Sequence, residues 1–407
     1  MNKPHKNKSI IEFFFVGTTV NAHFCEKMTC GAGSIAGNNF QLSFVTGLGN
    51  LSGREVKVIS QQPYPMYPKE KKIWFKTDQC FLNERSKALL IPFINLPVIK
   101  QVTVSISIFM ALILGLWKNR TSRCCIIVFN VFSPFSLPVL IASKLFGCKS
   151  VAIIADLPFN DYDFKGWKGL LQRIDFFVQT NIISKFSGVI ALTPKIIEDF
   201  ALSLPSIVIE GGIDIEAEQA ESSRPNKSEY FICLYSGALN EINGISLLLE
   251  AFSLISRSDF RLWIFGDGPL STLVEKAATI DKRIVYWGNV SNHQVKNYQK
   301  EATVLINPRP SNNRITYYTF PSKLLEYMLS GRPVISTRLS GIPKDYYNHL
   351  IFLENETPKD LANLIEQVCI GETYDIEDMG VKAKEFIEST KNWKYQSKLI
   401  YDFLSKL

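Results

Sequence analysis

The sequence predicts an α/β protein built from two doubly wound parallel sheets. Three observations carry the prediction. Apolar runs of strand length alternate with longer amphipathic runs along the 407 residues, as buried parallel strands covered by helices do. A polar, charged stretch at 214–229 interrupts the alternation near the middle and reads as a linker. Beyond it, four consecutive strand-like runs end in loops that carry glycine or arginine.

The length allows two domains of roughly 200 residues each. The formal charge of +7 is uneven. Residues 1–215 hold 23 Lys and Arg against 14 Asp and Glu, a balance of +9; the rest holds 22 against 24, a balance of −2. A basic half suits an anionic membrane surface or a diphosphate-bearing ligand. Nucleic acid is disfavoured, because the chain has no zinc-finger spacing, no RNA-recognition motif and no dense basic helix. The eight cysteines form no C-x-x-C pair and several lie in apolar runs, as buried thiols of a reducing compartment do.

Two stretches imitate membrane signals. Lys8 leads an apolar run to Val20, but Glu12 interrupts it and no clean cleavage site follows, so it reads as a buried first strand. The uninterrupted apolar part of 91–117, from Val102 to Trp117, falls short of the ~20 residues needed to span a bilayer. The expectation is a buried or membrane-resting helix in a cytoplasmic protein able to touch the inner membrane face.

In the first half, strands are expected at 10–16, 55–60, 125–129, 150–154, 188–192 and 206–209. Helices are expected up to about Gly47 and at 97–117, 136–146 and 166–184. Residues 61–88, rich in Pro, Lys and Tyr, read as an excursion with short strands. In the second half, strands are expected at 231–235, 261–265, 284–287, 304–307 and 334–336. Helices are expected near 245–257, 270–278, 291–300, 322–330 and 358–369. The domains then run 1–215 and 216–385, and an amphipathic tail within 386–407 returns to the first.

The chemistry concentrates at 320–334, Phe-Pro-Ser-Lys-Leu-Leu-Glu-Tyr-Met-Leu-Ser-Gly-Arg-Pro-Val. Ser322 is a candidate N-cap, Leu324, Leu325, Met328 and Leu329 form one apolar face, and Gly331 stops the helix. Lys323 and Glu326, three apart, share the other face. A lysine at a helix start suits a phosphate, and a carboxylate one turn on suits a sugar diol. Ligands of open α/β sheets gather beyond the carboxyl ends of strands. There lie Ser236-Gly-Ala-Leu-Asn-Glu-Ile-Asn-Gly244, Gly266-Asp-Gly-Pro269, Gly288-Asn-Val290 and Pro308-Arg-Pro-Ser-Asn-Asn-Arg314. Glycines of the loop 31–37, Gly33 and Gly37 among them, would let backbone approach a diphosphate or acceptor. Asp156, at the end of an apolar run, reads equally as an acceptor-orienting or basic group and as a turn or helix cap. His23, His293 and His349 have no partner pattern, and no metal-ligand cluster is present.

These motifs resemble those of the retaining glycosyltransferases of family four (glycosyl transferases group 1). The resemblance is close over 231–370 and looser over 9–215, and rests on Tyr235-Ser-Gly237 with Gly244, Gly266-Asp-Gly-Pro269, Trp287-Gly-Asn289 and the 320–334 stretch. It implies two Rossmann-like domains facing across a cleft (the GT-B architecture). The acceptor would lie on the first and a nucleoside-diphosphate sugar on the second. Glu326 would take the ribose hydroxyls, residues 319–323 (Thr319, Phe320, Ser322 and Lys323 among them) would lie against the diphosphate and donor sugar, and Asn289 and Val290 would line the base. No metal or other cofactor is implied.

The chain departs from the family at three positions. Tyr318 stands where the first of two glutamates is usual, and Ala238 and Asn243 stand where an arginine and a lysine usually clamp the diphosphate. Lys323, Arg309 or Arg314 would have to replace that clamp. The expectation is a metal-independent retaining hexosyltransferase acting on a saccharide acceptor, polyprenyl-diphosphate-linked by analogy, in surface polysaccharide assembly. A nucleotide-sugar epimerase on the same fold and a non-catalytic nucleotide-sugar-binding subunit are the rivals.

Overall fold

The first strand, β1 (Asn7–Gly17), occupies the middle of an eight-stranded sheet. The computed structural model describes residues 7–21, 24, 35–83, 86–155, 167–201, 203–215, 228–371 and 375–407. On one side of β1 lie β2 (Lys57–Ser60), β5 (Lys87–Leu90) and the edge strand β4 (Asp78–Phe81). On the other lie β7 (Ser122–Phe129), β8 (Lys149–Ile154), β9 (Gly188–Ala191) and β10 (Ser206–Val208). All pairings are parallel except β4 with β5. The excursion before β7 adds a small antiparallel pair, β3 (Trp74–Phe75) with β6 (Phe93–Ile94).

Phe13, Phe14, Phe15 and Val16 of β1 are all buried, as a strand covered on both faces requires. Glu12 interrupts the apolar run because it is paired: Arg54 Nη1 donates to it at 2.5 Å and Lys57 Nζ at 2.6 Å. Burial pushes its pKa up, but the bonds and charges of Lys57 and Arg54 outweigh that and hold it below the ordinary carboxylate value.

Helix α1 (Ile35–Ser52) follows β1. It takes in Gly37, expected in a loop. Its second turn is tied down by Asn38, which exchanges hydrogen bonds with the backbone of Val20 at 3.0 Å, and by Gln41, whose Oε1 accepts from Thr18 and Thr19. Helices α2 (Ile99–Lys118), α3 (Ser133–Phe146) and α4 (Trp167–Ile183) each precede the next parallel strand. Among the described residues, α2 is the one helix long and apolar enough to cross a membrane by length and composition.

The second sheet has six strands: β11 (Phe231–Ser236), β12 (Phe260–Phe265), β13 (Ile284–Gly288), β14 (Val304–Asn307), β15 (Val334–Thr337) and β16 (Ile351–Leu353). Their spatial order is β13-β12-β11-β14-β15-β16, all parallel. Numbered within the unit this is 3-2-1-4-5-6, the Rossmann order, with its switch point between β11 and β14. Its helices are α5 (Ile245–Leu254), α6 (Ser271–Ile280), α7 (Asn292–Glu301), α8 (Lys323–Leu329), α9 (Pro358–Ile370) and α10 (Ile376–Thr390). β16 and α10 had no counterpart in the sequence reading: one is three residues long, and the other interrupts a sparse apolar stripe with charges and Gly380.

The tail forms α11 (Trp393–Lys406) and packs with the first sheet's elements. Gly47 in α1 permits the approach, since a Cβ there would fall 1.8 Å from Ser397 Oγ. Phe40 meets Trp393 edge-on at 5.3 Å, and Ile400 and Leu404 are buried in the same core. Each such aliphatic burial stabilises by about 1.5–3 kcal/mol. Contacts accordingly divide the chain into one unit of 1–210 with 393–407 and another of 211–392.

Candidate functional site

At the carboxyl ends of β11, β12 and β13 the second unit holds a cavity of about 660 Å³. It lies beside the switch point, where doubly wound sheets place ligands. The loops after β11, β12 and β14 come together because glycines let their backbones touch. A Cβ on Gly266, at φ +120°, would fall 2.0 Å from the Gly237 carbonyl oxygen. A Cβ on Gly244, at φ +76°, would fall 2.0 Å from that of Pro308. The strand-end glycines therefore join neighbouring loops into one floor.

Helix α8 supplies the charged wall. Its apolar residues Leu324, Leu325 and Met328 are buried, and Gly331, at φ +77°, ends it as expected. Lys323 and Glu326 both line the cavity, as their spacing predicts. Ser322 lines it too, but it does not cap the helix: its backbone is already helical, at φ −52° and ψ −26°, and its side chain makes no cap hydrogen bond. With only seven residues, α8 also sums too few peptide dipoles for a strong anion site at its start.

The amine of Lys323 is the focus of the site. Its Nζ donates to the Tyr235 hydroxyl at 2.9 Å, and that hydroxyl donates to the Ala238 carbonyl at 2.9 Å. Burial, then the nearby charge of Arg309, lower the Lys323 pKa to about 7 against the opposing pull of Glu326. Burial, foremost, also raises the pKa of Tyr235, so its hydroxyl stays neutral. Gly237 leaves room for the ammonium, since a Cβ there would lie 2.7 Å from Nζ. Arg309 stands behind, donating from Nη2 to Thr319 Oγ1 at 2.9 Å, and its buried Nε has no hydrogen-bond partner among the described residues. The Lys323 amine is thus held by a neutral hydroxyl, with the half-buried Arg309 near it.

The two residues at this loop that depart from the resemblance, Ala238 and Asn243, are joined. Asn243 Nδ2 donates to the Ala238 carbonyl at 2.9 Å, the same oxygen that accepts from Tyr235. Neutral hydrogen bonds thus occupy the place where the resemblance implies a cationic clamp. The opposite wall is apolar. Phe265, Val290 and Val295 line it with Asn289 and Asn292. Behind it Trp287 stacks on Phe265 with ring centres 5.8 Å apart and meets Tyr298 at 4.8 Å.

Of the predicted residues, Gly237, Gly266, Asn289, Val290, Ser322, Lys323 and Glu326 line this one cavity. Arg309 and Thr319 bond each other in the layer behind, and Tyr318 and Phe320 are buried. Arg314 begins a short helical turn, Arg314–Tyr318. Gly37 lies in α1 of the other unit, and Asp156 and Gly33 fall outside the described residues. The last described residue before Asp156, Ala155, donates its N–H to Asn130 Oδ1 at 2.9 Å. The sequence reading missed the role of Tyr235. The available signal was a tyrosine ending an otherwise apolar strand. Asp267 stood within Gly266-Asp-Gly-Pro269 with no role of its own; the residue lines the cavity, and its Oδ1 accepts from Ser271 Oγ at 2.6 Å and from the Gly268 N–H at 2.7 Å.

Residues 230–369 match the family model described as Glycosyl transferases group 1. The match covers most of the second unit and all of the residues that line the cavity. A curated relative, the phosphatidylinositol N-acetylglucosaminyltransferase gpi3 subunit of Schizosaccharomyces pombe, is 26% identical over 189 residues, which are 45% of this chain. The aligned part spans 39% of that relative's length. Among solved structures, Anabaena HepE in complex with UDP aligns over 97% of this chain and 100% of its own, at TM-score 0.63 and 13% identity. The lipopolysaccharide outer core galactosyltransferase WaaB aligns over the same shares at TM-score 0.64 and 16% identity. At such identities the likeness establishes a shared fold.

Proposed function

We propose that the chain is a retaining glycosyltransferase that moves a sugar from a nucleoside diphosphate to a saccharide acceptor. The observation that carries the proposal is the half-buried Lys323 amine on the wall of the strand-end cavity, with Arg309 near it and Glu326 one turn on. Two cations in low dielectric suit a diphosphate, whose charge grows as the glycosyl bond breaks. Glu326 suits the paired hydroxyls of a ribose, and the wall of Phe265, Val290 and Val295 suits the flat face of a base. The family match over the same residues and the UDP held by HepE support a nucleotide-sugar donor.

In this reading Lys323 and Arg309 replace the clamp absent at Ala238 and Asn243. The acceptor hydroxyl attacks from the face that the diphosphate leaves and gives its proton to the departing diphosphate oxygen, so the anomeric configuration is kept. The acceptor is a lipid-linked saccharide of surface polysaccharide assembly. The basic first unit and the apolar α2 support this.

A thermal-shift series with UDP, GDP and dTDP sugars tests donor binding. A ligand at 100 times its dissociation constant stabilises by about 2.7 kcal/mol, and one of the three is expected to do so. Consumption of the binding sugar should then require an acceptor. Turnover without one would point to an epimerase. Binding without turnover on any acceptor pool would point to a non-catalytic subunit, the reading favoured by the neutral Ala238–Asn243 pair. Stabilisation by none of the three would refute the proposal.

A further inference from the structure

We propose that the outward faces of α2, α3 and α4 form a docking surface for an anionic lipid bilayer. Helix α2 carries two stripes at a spacing of four. One, Val104, Ile108, Leu112 and Leu116, is buried. The helix is anchored on that side: a Cβ on Gly115 would fall 2.6 Å from the Phe14 ring, and Lys100 Nζ donates to the Tyr64 carbonyl at 2.8 Å. The other stripe, Val102, Ile106, Met110 and Leu114, is exposed, and Leu114 is 60% accessible. A helix on the outside of a water-facing domain places charges there.

The neighbouring helices continue the pattern. α3 exposes Leu137, Ile141 and Leu145, and α4 exposes Leu170, Ile174 and Phe177. Between the helices runs an apolar groove of about 530 Å³, with Val102 and Ile106 on one side and Phe132 and Leu137 on the other. The carboxylate at its edge, Asp175, accepts hydrogen bonds from Ser133 and Gln179. Val98 stands at the head of α2 with φ +67° and is exposed. A β-branched residue is strained there, where glycine or asparagine would not be. A contiguous apolar face of this kind on one unit marks an interaction surface.

Charge identifies the occupant. The three helices run in the same sense, because each connects parallel strands of one sheet. Their carboxyl ends therefore lie along one edge of the face. That edge carries Lys118 in the last turn of α2 and Arg120 just beyond it, Lys144 in the last turn of α3, and Lys185 just beyond α4, all exposed. Arg120 lies over the ring of Trp117 at 5.6 Å, and that ring is itself exposed. An apolar face rimmed by cations and a tryptophan matches the acyl–headgroup boundary of an anionic leaflet. Because α2 packs on its own sheet along the Val104–Leu116 stripe, it lies in the interface and does not span it. The proposal is independent of the transfer reading, since vesicle binding needs neither donor nor acceptor.

The test is flotation of the full chain with phosphatidylcholine vesicles and with vesicles containing about one-third phosphatidylglycerol. The chain should float with the anionic vesicles and at least about tenfold less with the neutral ones. Met110→Glu with Leu114→Glu should abolish flotation. Lys118→Gln with Arg120→Gln, surface changes that spare the core, should weaken it about 30-fold. Circular dichroism confirms that the variants fold. Wild type that fails to float with anionic vesicles overturns the proposal. So does equal flotation on both lipids, or an unweakened Lys118→Gln, Arg120→Gln variant. A non-floating wild type that forms a dimer broken by Met110→Glu with Leu114→Glu would assign the face to a second copy of the chain.

Discussion

Helices α2 and α10 both lie on the outside of their own units, yet their outer faces differ. α10 turns Ala383 and Ile387 inward and exposes Glu377, Asp378, Lys382 and Lys384, with Lys382 Nζ 2.6 Å from Asp378. α2 is apolar on both sides. The inward stripe of each is what the fold demands, and the outward stripe records the medium that helix meets. Under the two proposals, the difference separates the labours of the units. The second has charges on the outer face of α10 and a polar cavity with a half-buried lysine. The first has an apolar exterior rimmed by cations. Variants of one should leave the function of the other intact.

Lys323→Ala gives the sharpest break. Loss of a preorganised charge at a developing anion lowers turnover by about 10²–10³, while vesicle flotation should match wild type. If Lys323→Ala keeps donor affinity and turnover, Lys323 has not replaced the clamp missing at Ala238 and Asn243. Glu326→Gln should act next most strongly. Losing charge-assisted hydrogen bonds to the donor weakens binding by about 1.5–3 kcal/mol, read as a raised KM for the donor sugar with flotation again unchanged. An unaltered KM would remove Glu326 from the ribose.

This division was partly legible in the sequence. Parallel strands buried on both faces announce themselves as apolar runs, and the central strands β1, β7, β11 and β14 fell close to their expected places. The cavity was legible because its glycines and charges sit at strand ends, a position topology makes special. Tyr235 was not, because a tyrosine in a strand is ordinary until Lys323, 88 residues away, is seen to bond it. Ser322 misled because a serine before an apolar run signals a cap, whereas its backbone had already entered the helix. For α2, composition showed an apolar helix, but only packing separates the stripe that the sheet buries from the stripe it leaves out.

Lys323 also gives the second unit a response to pH. Its folded pKa of about 7 lies below the ~10.4 of an unfolded lysine. Between those values the unfolded chain binds the extra proton, so this group makes stability rise with pH. Below about 7 both states are protonated and the burial penalty is complete. Lys323→Met should remove the rise and stabilise the ligand-free chain most below pH 7, by about 1–2 kcal/mol. Urea titrations of wild type and Lys323→Met at pH 6 and pH 9.5 measure it. A diphosphate ligand restores the charged amine, so its binding at pH 8 should take up a proton, seen as a buffer-dependent heat. Equal stability differences at both pH values would show that Lys323 titrates normally.

The smallest effect compares two helix starts within the second unit. Thr357 caps α9: its Oγ1 accepts from the Asp360 N–H at 3.1 Å, with an extended backbone at φ −109°. Ser322 occupies the same position before α8 without that bond. Thr357→Ala should therefore lower stability by about 1 kcal/mol, the usual worth of a cap, and Ser322→Ala by less than about 0.5 kcal/mol. Both are read from the urea midpoint at constant slope. Because Ser322 lines the cavity, its hydroxyl should register in the donor KM instead. If Ser322→Ala costs as much stability as Thr357→Ala, the side chain caps α8 in solution, and the hydroxyl is not free to face a ligand.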